Sequence, residues 1–376
     1  MAQSSSKKPI MIVGSYPADS QQSMIRFAHL LAGFYKPFAP VHLIRSPVLI
    51  TRLPGLPAVF RKYLAYIDKL LLFPLWLALR ARSYQLVHIA DQGNAFYSFC
   101  CPASRCIVTC HDLLAMRAAM CDLSVACKPS VIGIWLQRLI MAGLRRAGAV
   151  AFSSQASFND FQRLVGAPPG QRNAVIPIPL NAPFSPDLAG MELSLQENRL
   201  IPAAPFLLMV GSGHPRKNRL LALRLLRELG ASSPYRVVFA GSPLAPADQA
   251  LVEEHQLPSR VHVIVGPSNA LLNHLYGRAH ALLFPSVAEG FGWPLIEAHA
   301  CGCPVIASTT TSIPEVAGAA ALFAGPHDVA SFASHVRALE DPATRARLIH
   351  HGEINLRRFD PVVISRSYTN CALQPA

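Results

Sequence analysis

The sequence predicts an α/β protein made of two Rossmann-like, doubly wound domains facing each other across a cleft. Three observations carry this. The chain has 376 residues, more than one ordinary domain and fewer than three. Short continuous apolar runs alternate with stretches of helical periodicity, the pattern of parallel strands covered by helices on both faces. The alternation stops at a proline-rich stretch near mid-chain and then restarts, as a linker between two domains requires.

Taken in order, the first strand is 9–14, a run of apolar residues ending in glycine that suits a buried parallel strand. The runs 41–44, 86–90, 106–109 and 149–152 have the same character, and helical spacing fills 23–34 and 135–147. Residues 166–205 are rich in proline and lack periodicity. Strands then return at 206–210, 236–240, 261–265, 280–284, 304–307 and 320–324, with a helix over 219–229. The implied division is a first domain over 1–180, a linker over 181–204 and a second domain over 205–360. A terminal helix of about 361–376 is expected to pack back on the first domain.

Composition narrows the class. Hydrophobic residues make up 51% and charged residues 15%, which excludes a disordered chain. The apolar stretch 70–79 is half the length of a membrane span and contains Pro74, and 131–144 is interrupted by Arg138. The N-terminal apolar run is too short for a signal peptide. Nine cysteines, an odd number with no Cys-x-x-Cys pair, read as reduced thiols in a cytoplasmic protein rather than a disulfide framework or a zinc site.

The charge is uneven. Residues 1–185 hold 19 Lys and Arg against 6 Asp and Glu, while 186–376 hold 15 of each. A half so basic points to a polyanionic partner, either an anionic membrane surface or a phosphorylated substrate. Nucleic acid is not expected, because no helix-turn-helix or stacked-aromatic signature occurs. Within this half, Phe60, Leu64, Ile67 and Leu71 follow helical spacing, flanked by Arg61, Lys62 and Lys69, with Tyr63, Tyr66 and Trp76 as interface aromatics. Pro74 is expected to break or restart that helix. The segment reads equally as a membrane-surface helix and as a core helix with basic edges.

Chemistry concentrates in two loops that follow strands. Phe284–Gly302 reads strand, glycine loop, helix. Gly290 and Gly292 let a backbone approach a ligand. Pro294 suits a first helical turn and Gly302 a helix end. The amides of Gly292, Trp293 and Leu295 are expected to point out of the helix start as an anion site. Glu289 and Glu297 bracket that cradle. Beside phosphates, carboxylates should accept hydrogen bonds from hydroxyls, so the ligand implied is a sugar nucleotide. The second loop, Gly211–Asn218, places the adjacent cations Arg216 and Lys217 at a strand end, where a planar fork and a point charge can neutralise a diphosphate.

These stretches resemble the glycosyltransferase family 4 group, whose members have the GT-B fold. The resemblance covers most of 206–330 and is carried by Gly-Ser-Gly-His-Pro-Arg-Lys-Asn at 211–218, by Phe-Pro-Ser-Val-Ala-Glu-Gly-Phe-Gly-Trp-Pro-Leu-Ile-Glu-Ala at 284–298, by Gly-Cys-Pro-Val-Ile-Ala at 302–307 and by Ile-Pro-Glu-Val at 313–316. It implies that Glu289 faces the donor sugar and Glu297 the ribose. Arg216 and Lys217 would hold the diphosphate over the backbone of Phe291 to Leu295, and the base would lodge near Gly266 and Ser268. Thr-Cys-His-Asp-Leu at 109–113 resembles the family's His-Asp loop, with His111 approaching the transferred sugar. His88 and His214 are read as packing or loop residues. The first loop departs from the family, with only Gly14 where many members carry a glycine pair. Ser15, Tyr16 and Asp19 are the nearest acceptor-side candidates there. Trp293 stands where a smaller aliphatic residue is usual.

The resemblance implies a retaining hexosyl or mannosyl transfer from a GDP- or UDP-linked sugar to a saccharide or lipid-linked acceptor of polysaccharide biosynthesis. It implies no cofactor and no required metal. Competing readings are a glycosidase using Glu289 and Glu297, which leaves Arg216 and Lys217 without a role, a sugar-nucleotide epimerase, and a non-catalytic binder that docks through the basic half.

Overall fold

The computed structural model describes residues 8–17, 22–48, 65–120, 130–187 and 192–373. They divide into two compact units. The first contains the described residues up to Pro177 together with the helix Pro361–Leu373, and the second runs Ile178–Asp360.

The first unit holds a six-stranded, all-parallel sheet. Its strands are β1 (Ile10–Gly14), β2 (Val41–Arg45), β3 (Leu86–Ile89), β4 (Cys106–Cys110), β5 (Ala149–Phe152) and β6 (Arg172–Val175), in the order β2-β1-β3-β4-β5-β6. Strands β1, β3, β4 and β5 are buried along their whole length. That is why they read as unbroken apolar runs: helices cover both faces of a parallel sheet. Edge strands need no such run. The outermost strand β6 is Arg-Asn-Ala-Val, and its sequence gives no strand signal. Helix Gln22–Tyr35 lies along the terminal helix Pro361–Leu373, where Tyr368 stacks with Phe34 and meets the rings of Phe27 and His88.

Pro74 restarts its helix rather than ending it, standing in the first turn of Phe73–Arg80. Asp68–Leu72 forms a π-helical turn in which the Phe73 amide donates to the Asp68 carbonyl, and an α-helix continues over Phe73–Arg80. Proline has no amide to donate and crowds the turn before it, and the wider π turn absorbs both defects. Residues 59–64 of the basic segment lie outside the described residues, as does Asp19.

The second unit repeats the scheme. Its strands are β7 (Phe206–Gly211), β8 (Arg236–Gly241), β9 (Val261–Val265), β10 (Ala281–Phe284), β11 (Val305–Ser308) and β12 (Ala321–Ala324), in the order β12-β11-β10-β7-β8-β9. The chain steps outward from β7 to β9, returns to the other side of β7 with β10, and steps outward again. Loops leaving β7 and β10 therefore part toward opposite faces, and the crevice between them is the switch point where open α/β sheets bind ligands. Glycine is required beside it. Gly241 has φ +140°, and a Cβ there would lie 2.3 Å from the Gly211 carbonyl oxygen.

The stretch 181–204, read from its prolines as a linker, is built into the second unit across its described residues. The Asn273 side chain pairs with the backbone of Ser185 as a neighbouring strand would, accepting from its amide at 2.9 Å and donating to its carbonyl at 2.8 Å. Phe184 meets Tyr276 edge-on, and a capping box at Ser194 and Glu197 starts the short helix Leu195–Arg199. Prolines erase periodicity without preventing side-chain docking, so the sequence pattern alone missed this.

Candidate active site

The loops after β7 and β10 are joined by two hydrogen bonds before any charge is considered. Asn218, in the left-handed region at φ 57°, donates its side-chain amide to the carbonyls of Pro285 and Pro326. The Val287 amide donates to the Arg216 carbonyl at 2.8 Å. Arg219 donates to the carbonyls of Gly211, Ser242 and Pro243, fixing the neighbouring strand ends. Adjacent cations on a short 3-10 turn, Pro215–Lys217, are thereby aimed at the opposite loop. His214 belongs to the scaffold, since its Nδ1 accepts from the Arg216 amide at 3.2 Å.

The cations converge on one carboxylate. Arg216 Nη1 lies 2.5 Å from Glu289 Oε2, and Lys217 Nζ lies 2.6 Å from Glu289 Oε1. Arg216 also donates to the Ala288 carbonyl at 3.0 Å, and Lys217 rests over the Phe284 ring. Glu289 is only 6% exposed. Burial pushes its carboxyl up, but Lys217 and Arg216 outweigh burial and hold it below the ordinary carboxylate value. Its backbone is held as firmly: the Glu289 amide donates to Thr311 Oγ1, and Ser312 Oγ donates to the carbonyls of Glu289 and Phe291. Thr311 and Ser312 follow β11, one strand beyond the motif. Their role was missed in the sequence, where the run of hydroxyl residues at 308–312 was the available signal.

The helix beyond is Trp293–Ala300, with Pro294 in its first turn and Gly292 at φ +102° before it. Gly302, at φ +65°, ends it, with the Cys303 amide returning to the Ala298 carbonyl. One expectation fails here. The Leu295 amide donates to the Gly292 carbonyl at 3.0 Å, because the left-handed glycine turns that carbonyl back over the first turn. Leu295 therefore contributes a buried side chain rather than an outward amide.

Glu297 is buried one turn further on. It accepts from Asn181 at 2.9 Å and from the Tyr276 hydroxyl at 2.8 Å. Trp293 Nε1 donates to the Pro179 carbonyl at 2.9 Å, so its larger ring anchors the segment entering the second unit. Asn181 and Tyr276 come from elements distant in sequence, and nothing local marks them. Gly266 and Ser268 stand at the end of β9, two strands from β7, and the structure does not bring them into the cation cluster. Gly266 takes φ +60°, while Ser268 caps the helix Asn269–Arg278 and donates to Glu197 at 2.7 Å.

In the first unit, the β4 end presents His111. Its amide donates to Gln92 Oε1 at 2.8 Å, and its carbonyl accepts from Ser153 at 2.8 Å and Ser157 at 2.9 Å. Its Nε2 lies 3.0 Å from the Ala90 carbonyl. A carbonyl only accepts, so the proton sits on Nε2 and Nδ1 carries the lone pair. That Nδ1 is buried without a hydrogen-bond partner. Burial lowers the His111 pKa despite Asp91 and Asp112 nearby, so the ring is neutral at pH 7. His88, by contrast, lies 2.9 Å from the Tyr35 hydroxyl and 2.8 Å from Thr109 Oγ1, and burial takes its pKa to about 3. Gly14 ends β1 against Arg45 and Leu43. Ser15 and Tyr16 are buried and bonded to Asp91 and Asp68, so neither is offered to an acceptor.

Paired cations on a buried carboxylate stand at a Rossmann switch point, beside a glycine-opened helix, an arrangement whose cations can hold an anion and whose carboxylate can accept from hydroxyls. Residues 192–354 match the family model described as glycosyl transferases group 1. The matched residues lie within the second unit. Over 174 residues the chain is 32% identical to the O-antigen chain mannosyltransferase B of Escherichia coli, covering 45% of this chain and 44% of that protein. The chain thus spans less than half the length of the curated relatives it matches. Sucrose-phosphate synthase from Thermosynechococcus elongatus superposes with a TM-score of 0.73 at 18% identity, covering 97% of this chain and 98% of that one. HepE of Anabaena, solved with UDP and glucose, superposes at 0.68 with 18% identity over 96% and 98%. The fold is GT-B, as the motif resemblance implied. No helix among the described residues is long and apolar enough to cross a membrane.

Proposed function

We propose that this chain is a glycosyltransferase that moves a hexose from a nucleoside diphosphate sugar to a hydroxyl of a saccharide or lipid-linked acceptor. The observation that carries the reading is the triad of Arg216, Lys217 and Glu289. Without a ligand, the carboxylate neutralises both cations. An arriving diphosphate takes over the cations, and Glu289 is released to accept from hydroxyls of the donor sugar. As the bond between the anomeric carbon and the diphosphate oxygen breaks, negative charge grows on the leaving phosphate. Arg216 and Lys217 are fixed beside it and stabilise that charge. The acceptor oxygen bonds the anomeric carbon, and its proton passes to the departing phosphate. His111, neutral and with Nδ1 as an acceptor, orients a sugar hydroxyl and does not have to serve as base.

Retention at the anomeric carbon and independence from metal come from the family resemblance; two cations already supply the charge a metal would bring. The mannosyltransferase named above and the UDP-bound HepE support GDP-mannose and UDP-glucose as the first donors to try. The thiols of the described residues fit a reducing, cytoplasmic compartment. The test is transfer from GDP-mannose, UDP-glucose and UDP-galactose to lipid-linked and free oligosaccharides, with proton NMR of the product. An α-linked product from an α-linked donor is expected. A β-linked product removes retention, and donor conversion without any acceptor makes the protein an epimerase.

A further inference from the structure

The second unit carries a groove at the end of its sheet opposite the loops that leave β7 and β10. It lies where β7, β8 and β10 begin, between the chain entering β7, the turn before β10 and the corner joining the helices Val329–Ala338 and Pro342–Leu356. Its volume is about 690 Å³, within the range of small-molecule sites, about 300–1,000 Å³. Strand β7 runs Phe206–Gly211 from the groove to the cation loop, so roughly 20 Å of sheet separates the two places.

Phe206, Tyr235 and Leu339 are buried beneath the groove, and the polar groups around them are held by the protein. Arg345 donates Nη1 to the His280 carbonyl at 2.7 Å and Nη2 to the Ala279 carbonyl at 3.4 Å. These bonds set the plane of its guanidinium and leave the rest of its donors uncommitted. Arg278 ends the helix Asn269–Arg278, is exposed, and makes no hydrogen bond or ion pair among the described residues. Arg260 is the contrast: it spends its donors on the carbonyls of Leu226, Gly230 and Tyr235 as part of the scaffold.

Two acceptors face the arginines. Glu340 Oε1 takes the Tyr235 hydroxyl at 2.9 Å, which leaves Oε2 open. Burial, with Glu340 beside it, pushes the Tyr235 hydroxyl up to about 12, so it remains a donor to that carboxylate. His280 Nε2 lies 3.0 Å from the Val336 carbonyl. A carbonyl only accepts, so the proton sits on Nε2 and Nδ1 keeps its lone pair. The Tyr235 ring, 4.7 Å away, fixes the plane of this imidazole.

These groups define the chemistry of an occupant. Two guanidiniums against one carboxylate favour an anion, and the guanidinium fork matches phosphate. Two acceptors beside them call for hydroxyls on the same molecule. Tyr235 and Phe206 are too deeply buried to stack a nucleobase, which sets this occupant apart from a nucleotide.

We propose that the groove binds a sugar phosphate, with the phosphate on Arg278 and Arg345 and the hydroxyls on Glu340 and His280. The inference stands on this groove alone and is independent of the donor-site reading.

The experiment is titration calorimetry of the full chain with mannose 1-phosphate and mannose 6-phosphate, against inorganic phosphate, each with and without saturating GDP or UDP. At least one sugar phosphate should bind with a Kd below about 1 mM, about 10-fold or more tighter than phosphate, and neither nucleotide should change it. Arg278→Ala should weaken that binding by about 10-fold or more while melting like the parent, since the side chain is exposed and unbonded. Glu340→Gln keeps an acceptor for Tyr235 and should lower the preference for sugar phosphate over phosphate by about 3-fold or more. No heat with either sugar phosphate, equal affinity for phosphate, full affinity in Arg278→Ala, or an unchanged preference in Glu340→Gln each overturns the proposal. So does binding that GDP or UDP abolishes, which would place the ligand at the donor loops. Sugar phosphate binding that persists while neither nucleotide binds would instead count against the donor site only.

Discussion

Lys217 and the buried Glu289 carboxylate form an ion pair of 2.6 Å between the loops that leave β7 and β10, and Arg216 closes on the other carboxylate oxygen. A buried charge of either sign is costly unless paired. The pair therefore holds the two loops together, and on the proposed function it comes apart when a diphosphate competes for the cations.

Removing a cation should act on the chemical step. Lys217→Ala is expected to lower turnover by about 100-fold or more, the scale of one lost electrostatic contact to a transition state. Steady-state kinetics checks this, and turnover within a few-fold of the parent would refute the role of Lys217.

Removing the carboxylate should separate binding from transfer. In Glu289→Gln the cations lose their internal counter-charge, so free GDP or UDP should bind as well as or better than in the parent. Sugar transfer should fall by roughly 100-fold, since the amide replaces the anionic acceptor. Paired measurements of nucleotide affinity and turnover decide it, and a parallel loss of both would contradict the exchange of partners.

Acid should loosen the site through the same residue. The folded Glu289 carboxyl titrates below its ordinary value of 4.5, so the unfolded chain binds that proton more readily. Its contribution to stability is complete above the unfolded value and is lost as pH falls through the depressed folded one. Chemical denaturation across pH 3–6 should therefore show a decline in the parent that is shallower in Glu289→Gln.

His111 should be silent near neutrality. Its pKa lies below the ordinary 6.5 through burial, so the ring stays neutral, protonated on Nε2 toward the Ala90 carbonyl. Long-range proton–nitrogen NMR should report that tautomer unchanged between pH 6.5 and 8. Titration centred near 6.5 would contradict it.

Glycine is obligatory where the strand ends touch. Gly241→Ala must accommodate a Cβ 2.3 Å from the Gly211 oxygen at φ +140°. It should destabilise the second unit by about 3 kcal/mol, the upper range for such backbone strain. A drop in melting temperature below that of Gly277→Ala, where no atom lies within 4 Å of the added Cβ, is the matching control.

Much of this was legible in the sequence because it depends on local pattern. Buried parallel strands such as β1 and β4 read as continuous apolar runs, and Arg216, Lys217 and Glu289 stand in loops that follow such runs. Features set by distant partners were hidden. Nothing near Glu297 announces Asn181 or Tyr276, and the prolines around Ser185 conceal a segment that docks through Asn273. The inward Leu295 amide follows from the backbone angle at Gly292, which its identity permits but does not dictate. The edge strand β6 lacks the apolar run because one of its sides needs no cover.

Titration calorimetry with GDP, UDP and ADP tests the central claim most directly. The parent should bind GDP or UDP, and Lys217→Ala should weaken that binding about 10-fold, the value of a charge-assisted phosphate contact worth ~1.4 kcal/mol. No heat with any of the three nucleotides, or equal affinity in parent and variant, would contradict it.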